Sequence, residues 1–131
     1  MMFVSVFAGI LLGACEQPTA SDLTGIWVNP DGAVLTLEEN GNFSAHVLPA
    51  QVFLMPDSTD APLNGKGRWK FEKHNLLWHG DSGMVQLDFY EIPGHPPRTG
   101  TDVIVSGSGK SISLYQWMGE EGGARYKLTK K

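Results

Sequence analysis

Residues 25–47, GIWVNPDGAVLTLEENGNFSAHV, decide the fold of this chain. They hold three short apolar segments separated by two turn signals, Asn29-Pro30-Asp31-Gly32 and Asn40-Gly41. Proline presets the φ angle of a turn, and glycine accepts the positive φ that tight hairpin turns require. The stretch therefore predicts three consecutive antiparallel strands joined by short turns.

The rest of the chain repeats this strand pattern. Apolar and polar side chains alternate in residues 84–92, and Trp69 and Phe71 share one face of residues 67–72, which is typical of strands with one buried face. Sixteen glycines, eight prolines and few segments of helical period indicate an all-β chain without a helix of useful length. Strands are predicted at residues 25–28, 33–38, 42–47, 67–72, 76–79, 84–92, 103–105, 111–118 and 125–129, and long loops at residues 48–65 and 93–100.

About eight strands at short, regular spacing predict an antiparallel meander that closes into a barrel or a small sandwich. Gly25-x-Trp27 on the first strand resembles the opening motif of the lipocalin and fatty-acid-binding group of barrels. The resemblance implies that Trp27 packs across the closed end of the barrel beneath a C-terminal arginine, a position that Arg125 could occupy. Thr101-Asp102 is similar to part of a second lipocalin motif, although Val103 replaces its aromatic residue. We therefore expect a single lipocalin-like β-barrel domain over residues 25–131, and the resemblance names no ligand.

The N-terminal segment carries a second resemblance. Residues 3–12 form an apolar run that is too short to cross a bilayer and has the length of a signal-peptide core. The run leads into Leu12-Gly13-Ala14-Cys15, which resembles the lipobox of bacterial lipoprotein precursors. The resemblance implies that residues 1–14 are a signal peptide and that Cys15 is the site of lipid attachment.

Three observations favour this interpretation over a buried N-terminal strand or helix. Cys15 is the only cysteine, it follows the apolar run directly, and a polar segment comes immediately after it. Residues 1–14 contain no lysine or arginine, whereas a signal peptide normally begins with positive charge, and a translation start upstream of Met1 or Met2 would supply it. Residues 15–24 are then expected to form a lipidated, flexible tether.

The lipobox implies a location in the bacterial cell envelope. Two or three acyl chains, at about 0.8 kcal/mol per buried methylene, hold a small domain stably on a membrane. Because Glu16 rather than aspartate follows the cysteine, the expected destination in a Gram-negative envelope is the outer membrane, facing the periplasm. In a Gram-positive host the same signal implies the outer face of the cytoplasmic membrane, and both hosts stay open at this point.

Composition narrows the range of partners. The formal net charge of −4 argues against nucleic acid, because phosphate binding needs a cationic face. Acylation of the only cysteine leaves no disulfide, so a fold of this chain depends on its β-core. We expect a monomer without a cofactor.

Two motifs resemble catalytic loops. Gly80-Asp81-Ser82-Gly83 spells the core of the trypsin-family nucleophile loop, but those enzymes need two barrels and an upstream histidine and aspartate. The run at residues 107–111, GSGKS, resembles the end of a phosphate-binding loop, but Ile104 stands where that motif needs glycine and a strand is predicted where it needs a helix. Both are therefore interpreted as hairpin turns, and no catalytic residue is predicted.

The histidines give weak support for a metal site. His79 and Asp81 would share one face of a strand, and His74 lies nearby in the sequence. Zinc needs three or four converging ligands, and His46 and His95 have no predicted place beside this pair. No metal site is predicted.

Two hypotheses of function remain, both non-enzymatic. The first is a binding domain for a small apolar molecule, because an eight-stranded barrel with four tryptophans and six phenylalanines is either filled by side chains or wide enough for one ligand. The alternative is a protein-interaction role, such as an envelope inhibitor, immunity or assembly factor. It would dock by strand addition or through Phe53, Leu54 and Met55, expected to be exposed in the loop at residues 48–65.

Overall fold

A computed structural model describes residues 18–53, 62–73, 81–93, 99–107, 111–118 and 124–131. The strands in these residues are β1 Gly25–Val28, β2 Val34–Leu37, β3 Asn42–Pro49, β4 Pro62–Lys73, β5 Asp81–Glu91, β6 Thr99–Ser106, β7 Ser113–Trp117 and β8 Arg125–Lys130. Two short helices, α1 Ala20–Leu23 and α2 Ala50–Phe53, accompany them. Each strand pairs antiparallel with the next along the chain, and β8 pairs with β1 to close a barrel. The predicted all-β class and meander topology are confirmed.

Both predicted tight turns are present. Gly32 and Gly41 have φ angles of 104° and 92°, which glycine adopts without steric cost because it has no Cβ. In the first turn the side-chain oxygen of Asn29 accepts a hydrogen bond of 2.9 Å from the Asp31 backbone N–H. These local contacts bring the first three strands into antiparallel register.

Glycine in β4 makes room for the aromatic centre of the core. Gly67 lies opposite Phe43 on one side and opposite Phe89 on the other. The two phenylalanine rings meet edge to face with their centroids 4.9 Å apart. A Cβ on Gly67 would lie 1.9 Å from the Asp88 carbonyl oxygen, and one on Gly65 would lie 3.1 Å from the Phe89 ring, so the two glycines admit the β5 backbone and this ring.

Helix α1 covers one end of the barrel. Leu23 is fully buried, and its backbone carbonyl accepts a hydrogen bond of 2.9 Å from Trp27 Nε1. The Thr19 backbone N–H donates to the side chain of Asp22 at 2.9 Å, which orders the first turn of the helix. The prediction of a flexible tether over residues 15–24 is therefore wrong for residues 18–24, because one buried leucine docks the segment on the barrel. Residues 15–17 lie outside the described residues.

The cation beside Trp27 is Lys130. Its Nζ lies 5.7 Å from the centroid of the Trp27 ring system and donates a hydrogen bond of 2.8 Å to the Asp22 carbonyl. The predicted position of Arg125 over Trp27 is wrong. Strand β8 continues past Arg125, and Lys130 is the residue that pairs with Trp27 in the register.

Helix α2 covers the other end of the barrel. Phe53 is only 3% exposed, and its ring packs edge to face on Tyr126 with centroids 5.8 Å apart. The predicted loop at residues 48–65 is therefore wrong in part: β3 runs to Pro49, α2 follows, and β4 begins at Pro62. Phe53 is not an exposed contact residue, while Leu54 and Met55 lie outside the described residues.

The barrel closes with a short seam between β1 and β8. Only two residue pairs join these strands, Trp27 with Lys130 and Val28 with Thr129. Beyond them, Asn29 Nδ2 donates a hydrogen bond of 2.7 Å to the carbonyl of Lys127, so a side chain replaces the next backbone contact. In the part of the chain that the structure describes, each strand has a partner on both sides for part of its length, but β6 pairs with β7 only from Ile104 to Ser106.

The two loop-like motifs differ in outcome. Asp81, Ser82 and Gly83 belong to β5 and not to a hairpin turn, because a register shift between Asp81 and Gly83 accommodates them as a bulge. Gly107 follows β6 with a φ angle of 89° and Ser111 precedes β7, so the second motif connects two adjacent antiparallel strands as predicted. Gly80, residues 108–110, the predicted strand at 76–79 and loop residues 94–98 lie outside the described residues.

Candidate functional site

The interior of the barrel is packed with side chains. Trp27, Leu35 and Val85 have no exposed surface, and Phe43 and Phe89 are each 1% exposed. A cavity wide enough for a water molecule beside any of these side chains would leave part of its surface accessible. The interior lined by the described residues therefore has no room for a small ligand, and the candidate binding surfaces lie outside the barrel.

The outer face of β7 and β8 carries two aromatic rings and a guanidinium, which we name the aromatic–arginine stack. It consists of Tyr115, Trp117 and Arg125. The two rings meet edge to face with centroids 5.4 Å apart. Arg125 Cζ lies 4.3 Å from the Tyr115 ring centroid and 5.1 Å from the Trp117 ring centroid. Trp117 pairs with Arg125 across the two strands, so the sheet register places the stack.

The stack has a buried base and an exposed rim. Tyr115 is 3% exposed although it lies on the outer face, whereas Trp117 is 42% and the adjacent Met118 is 43% exposed. Tryptophan, tyrosine and arginine dominate the binding energy of protein interfaces, and methionine is enriched there. Among the described residues, the other exposed large hydrophobic side chains are Ile26 and Tyr90.

The strand order places the stack at the end of the barrel that α2 covers. Strand β8 begins at Arg125, beside Trp117, and reaches the α1 end at Lys130. Tyr126, the second residue of β8, contacts Phe53 of α2. The exposed rim of the stack therefore lies at the opposite end from α1.

A polar cleft of about 500 Å³ lies on the outer face of β4, β5 and β6. Gln86 Nε2 in this cleft donates a hydrogen bond of 3.0 Å to Glu72 Oε1. Arg68 Nη1 donates one of 3.3 Å to Asn42 Oδ1, toward the neighbouring strand β3. The cations of the cleft thus lie on β4 and its carboxylates on β5 and β6. Its charged and amide side chains are those of Arg68, Lys70, Gln86, Asp88 and Asp102.

A second cleft, of about 350 Å³, lies beside a bulge in β3. Val47 has a φ angle of 52°, which is an outlier for a β-branched residue. The register between β3 and β4 shifts from Ala45 to Leu48, and Asn64 Oδ1 accepts a hydrogen bond of 2.9 Å from the Val47 N–H. The bulge turns Leu48 into the core, which explains the strained backbone by packing. His46, the only histidine among the described residues, lies exposed at this cleft.

The metal candidates of the sequence fall mostly outside the described residues. His74, His79, His95 and the side chain of Asp81 lie outside the described residues, as does the predicted lipid-attachment residue Cys15. Within the described ranges, no group of three histidine, cysteine, aspartate or glutamate side chains is placed to hold a metal ion. The helices in the same ranges are all too short or too polar to cross a membrane.

Sequence reasoning missed the aromatic–arginine stack. The resemblance to lipocalins assigns Arg125 to Trp27, and this leaves Trp117 without a predicted partner. The sequence signal that could have found the stack is the hairpin of β7 and β8, because pairing these two adjacent strands places Trp117 opposite Arg125.

No family model, curated protein or solved structure matches this chain.

Proposed function

We propose that this protein is a non-enzymatic binding protein of the bacterial cell envelope, anchored by lipid on Cys15, that engages its partner with the outer surface of the barrel. The observation that carries the proposal is the packed interior. A barrel that binds an apolar molecule inside needs a cavity and an open end, whereas α1 and α2 cover the two ends here. A protein partner is favoured over a small apolar ligand because Trp117 is exposed on the outer face beside the Arg125 guanidinium.

The position of Ser82 supports a non-enzymatic role. Its Oγ donates a hydrogen bond of 2.8 Å to the backbone carbonyl of Gly107. A nucleophilic serine instead donates to a general base, which a backbone carbonyl cannot be. Ser82 therefore acts as a contact between β5 and the end of β6.

The lipobox and the short segment between Cys15 and the barrel support attachment close to the membrane. The buried Pro18 lies three positions after Cys15 in the sequence. At about 3.5 Å per extended residue, these positions span roughly 10 Å. A monomer held by two or three acyl chains, on the outer membrane if the host is Gram-negative, is the arrangement that we propose.

Fractionation of cells that express the full chain tests the anchor. Wild-type protein is expected in the detergent-soluble membrane fraction, with the acyl mass on Cys15 by mass spectrometry. Cys15→Ala is expected in the aqueous fraction, and Ser21→Ala, an exposed neighbour in α1, serves as the matched control. Recovery of Cys15→Ala with membranes would contradict the lipid anchor.

Titration with long-chain fatty acids and a hydrophobic dye tests where binding occurs. No saturable change in tryptophan fluorescence is expected at micromolar ligand, because the interior is packed. Saturable binding of one fatty acid per chain would show an interior ligand and overturn the outer-surface proposal in favour of the small apolar ligand.

A further inference from the structure

We propose that the aromatic–arginine stack is a docking surface for an acidic segment of another envelope protein, in which carboxylates stand beside an apolar side chain. The inference rests on the proposed function, since it specifies which part of the outer surface binds and with what chemistry. The stack supplies a cation and an exposed indole within one hairpin, at Arg125 and Trp117, and the exposed Met118 follows Trp117 in the chain.

The guanidinium of Arg125 is held in place before any partner binds. It lies 4.3 Å from the Tyr115 ring centroid and 5.1 Å from the Trp117 ring centroid. A guanidinium in contact with aromatic rings keeps N–H donors at its edge, which match the two oxygens of a carboxylate. Because its conformation is already restricted, less side-chain entropy is lost on binding.

The charge of this face selects the partner. Lys127 pairs with Tyr115, and Arg125 pairs with Trp117. The two cations therefore share the outer face of β8, with one residue between them. Asp102 on the neighbouring β6 lines the polar cleft of β4, β5 and β6, and its backbone carbonyl accepts a hydrogen bond from Gln116 Nε2 of β7. The described outward residues of the two strands include no acidic side chain: they are Ser113, Tyr115, Trp117, Arg125, Lys127 and Thr129. Glu120 and Glu121 of the connecting segment lie outside the described residues.

The apolar part of the surface favours a protein segment over a simple anion. Trp117 and Met118 are 42% and 43% exposed, and Tyr115 supports the indole from beneath at 3% exposure. A side chain that packs on Trp117 would shield the carboxylate contacts of Arg125 from water. Such a dry aromatic centre with charged neighbours is the arrangement found at energetic centres of interfaces.

The position of the stack separates it from the proposed anchor. The chain reaches the barrel from Cys15 through α1, whereas Trp117 and Arg125 lie at the end that α2 covers. The exposed rim therefore points away from the membrane to which Cys15 attaches. This geometry favours a protein over the lipid head groups of that membrane as the occupant.

Peptide selection on the full-length lipidated protein, held in lipid nanodiscs, tests the surface. Random peptides displayed on phage are expected to enrich aspartate or glutamate next to leucine, phenylalanine or tryptophan. Trp117→Ser and Arg125→Gln are each expected to weaken the enriched peptides about tenfold or more. Tyr90→Ser and Arg68→Gln, an exposed aromatic and an exposed cation on other strands, are the matched controls and are expected to bind like wild type.

Thermal unfolding of each variant checks that the barrel is intact. A further variant, Lys127→Glu, keeps the three residues of the stack but reverses a neighbouring charge. It is expected to weaken acidic peptides, and added salt is expected to do the same. Enrichment without acidic residues, or equal loss in the Tyr90→Ser control, would overturn the inference. Equally tight binding of phosphatidylglycerol vesicles, or self-association that Trp117→Ser abolishes, would assign the surface to a membrane or to a second copy instead.

The two proposals fail in different ways. If peptides enrich on another face, so that Tyr90→Ser or Arg68→Gln abolishes binding and Trp117→Ser does not, only the assignment of the surface is wrong. If fatty acids saturate the protein and no peptide enriches, the outer-surface function is wrong as well.

Discussion

The hydroxyl of Tyr126 donates a hydrogen bond of 2.7 Å to the Asp31 side chain, across 95 positions of sequence. The contact joins β8 to the turn between β1 and β2, beside the short seam of two residue pairs that closes the barrel. Tyr126 is itself nearly buried and packs against Phe53. One side chain thus links the seam, the first turn and the helix at that end of the barrel.

Burial, followed by the hydrogen bond to Asp31 and the charge of that carboxylate, raises the pKa of Tyr126 above its ordinary value. The unfolded chain ionises this tyrosine near pH 10, whereas the folded chain keeps it neutral. The stabilising contribution is therefore complete below about pH 10 and decreases as the pH rises further.

Tyr126→Phe is expected to lower the free energy of unfolding by about 1–2 kcal/mol at neutral pH, because the hydrogen bond to a charged acceptor is lost. The difference from wild type should shrink above about pH 10, since phenylalanine cannot ionise. Urea titrations from about pH 8 to about pH 11 measure both effects. Tyr90→Phe, at an exposed position, is the control, and a difference between wild type and Tyr126→Phe that stays constant with pH would contradict the raised pKa.

Lys130→Gln is expected to destabilise the barrel by about 0.5–1 kcal/mol, because Trp27 loses a cation at its ring. The same variant removes the hydrogen bond from Lys130 to the Asp22 carbonyl, so α1 should become more accessible to proteases. Lys127→Gln, on the same strand but on the outer face, is expected to stay within about 0.5 kcal/mol of wild type. Equal costs of the two substitutions in urea unfolding would show that Lys130 has no special contact.

Gly67→Ala is expected to destabilise the protein by about 3 kcal/mol or more, because a backbone clash has no inexpensive relief. A Cβ at this position would lie 1.9 Å from the Asp88 carbonyl oxygen. Gly100→Ala is the matched control on β6, where the nearest atom would be 3.5 Å away. The control is expected to be neutral or slightly stabilising, and equal unfolding midpoints for both variants would refute the close approach of the β5 backbone to Gly67.

Phe53→Ala is expected to cost about 3 kcal/mol, since it opens a cavity between α2 and Tyr126. Phe53→Leu retains most of the volume and should cost less than about 1.5 kcal/mol. Thermal unfolding of the two variants measures the difference. If Phe53→Ala unfolds at the wild-type temperature, the helix does not contribute to the core. A charge at this position would damage the core and would not report on a docking surface.

Local sequence signals predicted the strands well because they act over a few residues. The turns at Gly32 and Gly41 and the alternation in β5 are fixed by φ preference and by one buried face, and the structure confirms both. The role of residues 18–24 could not be predicted in this way. A polar segment with a single leucine looks like a tether until the end of a barrel offers Leu23 a site for burial.

The position of the aromatic–arginine stack depends on the register of β8 with its neighbouring strands, which composition does not reveal. Whether Arg125 or Lys130 approaches Trp27 follows from how far β8 extends along β1. The filled interior was also beyond reach from sequence, because four tryptophans suit a hollow barrel and a packed one equally. Only the zero exposure of Trp27 and its neighbours separates the two.

The contact between Lys130 and Asp22 has a practical consequence for tagging. The Lys131 backbone N–H also donates to the Ile26 carbonyl at 2.8 Å, so the last residue lies next to the start of β1. A fluorescent protein fused after Lys131 would emerge beside α1, on the side of the acyl anchor that we propose on Cys15, and would crowd a bilayer there. A short epitope inserted between α2 and β4 would instead stand at the far end of the barrel from α1.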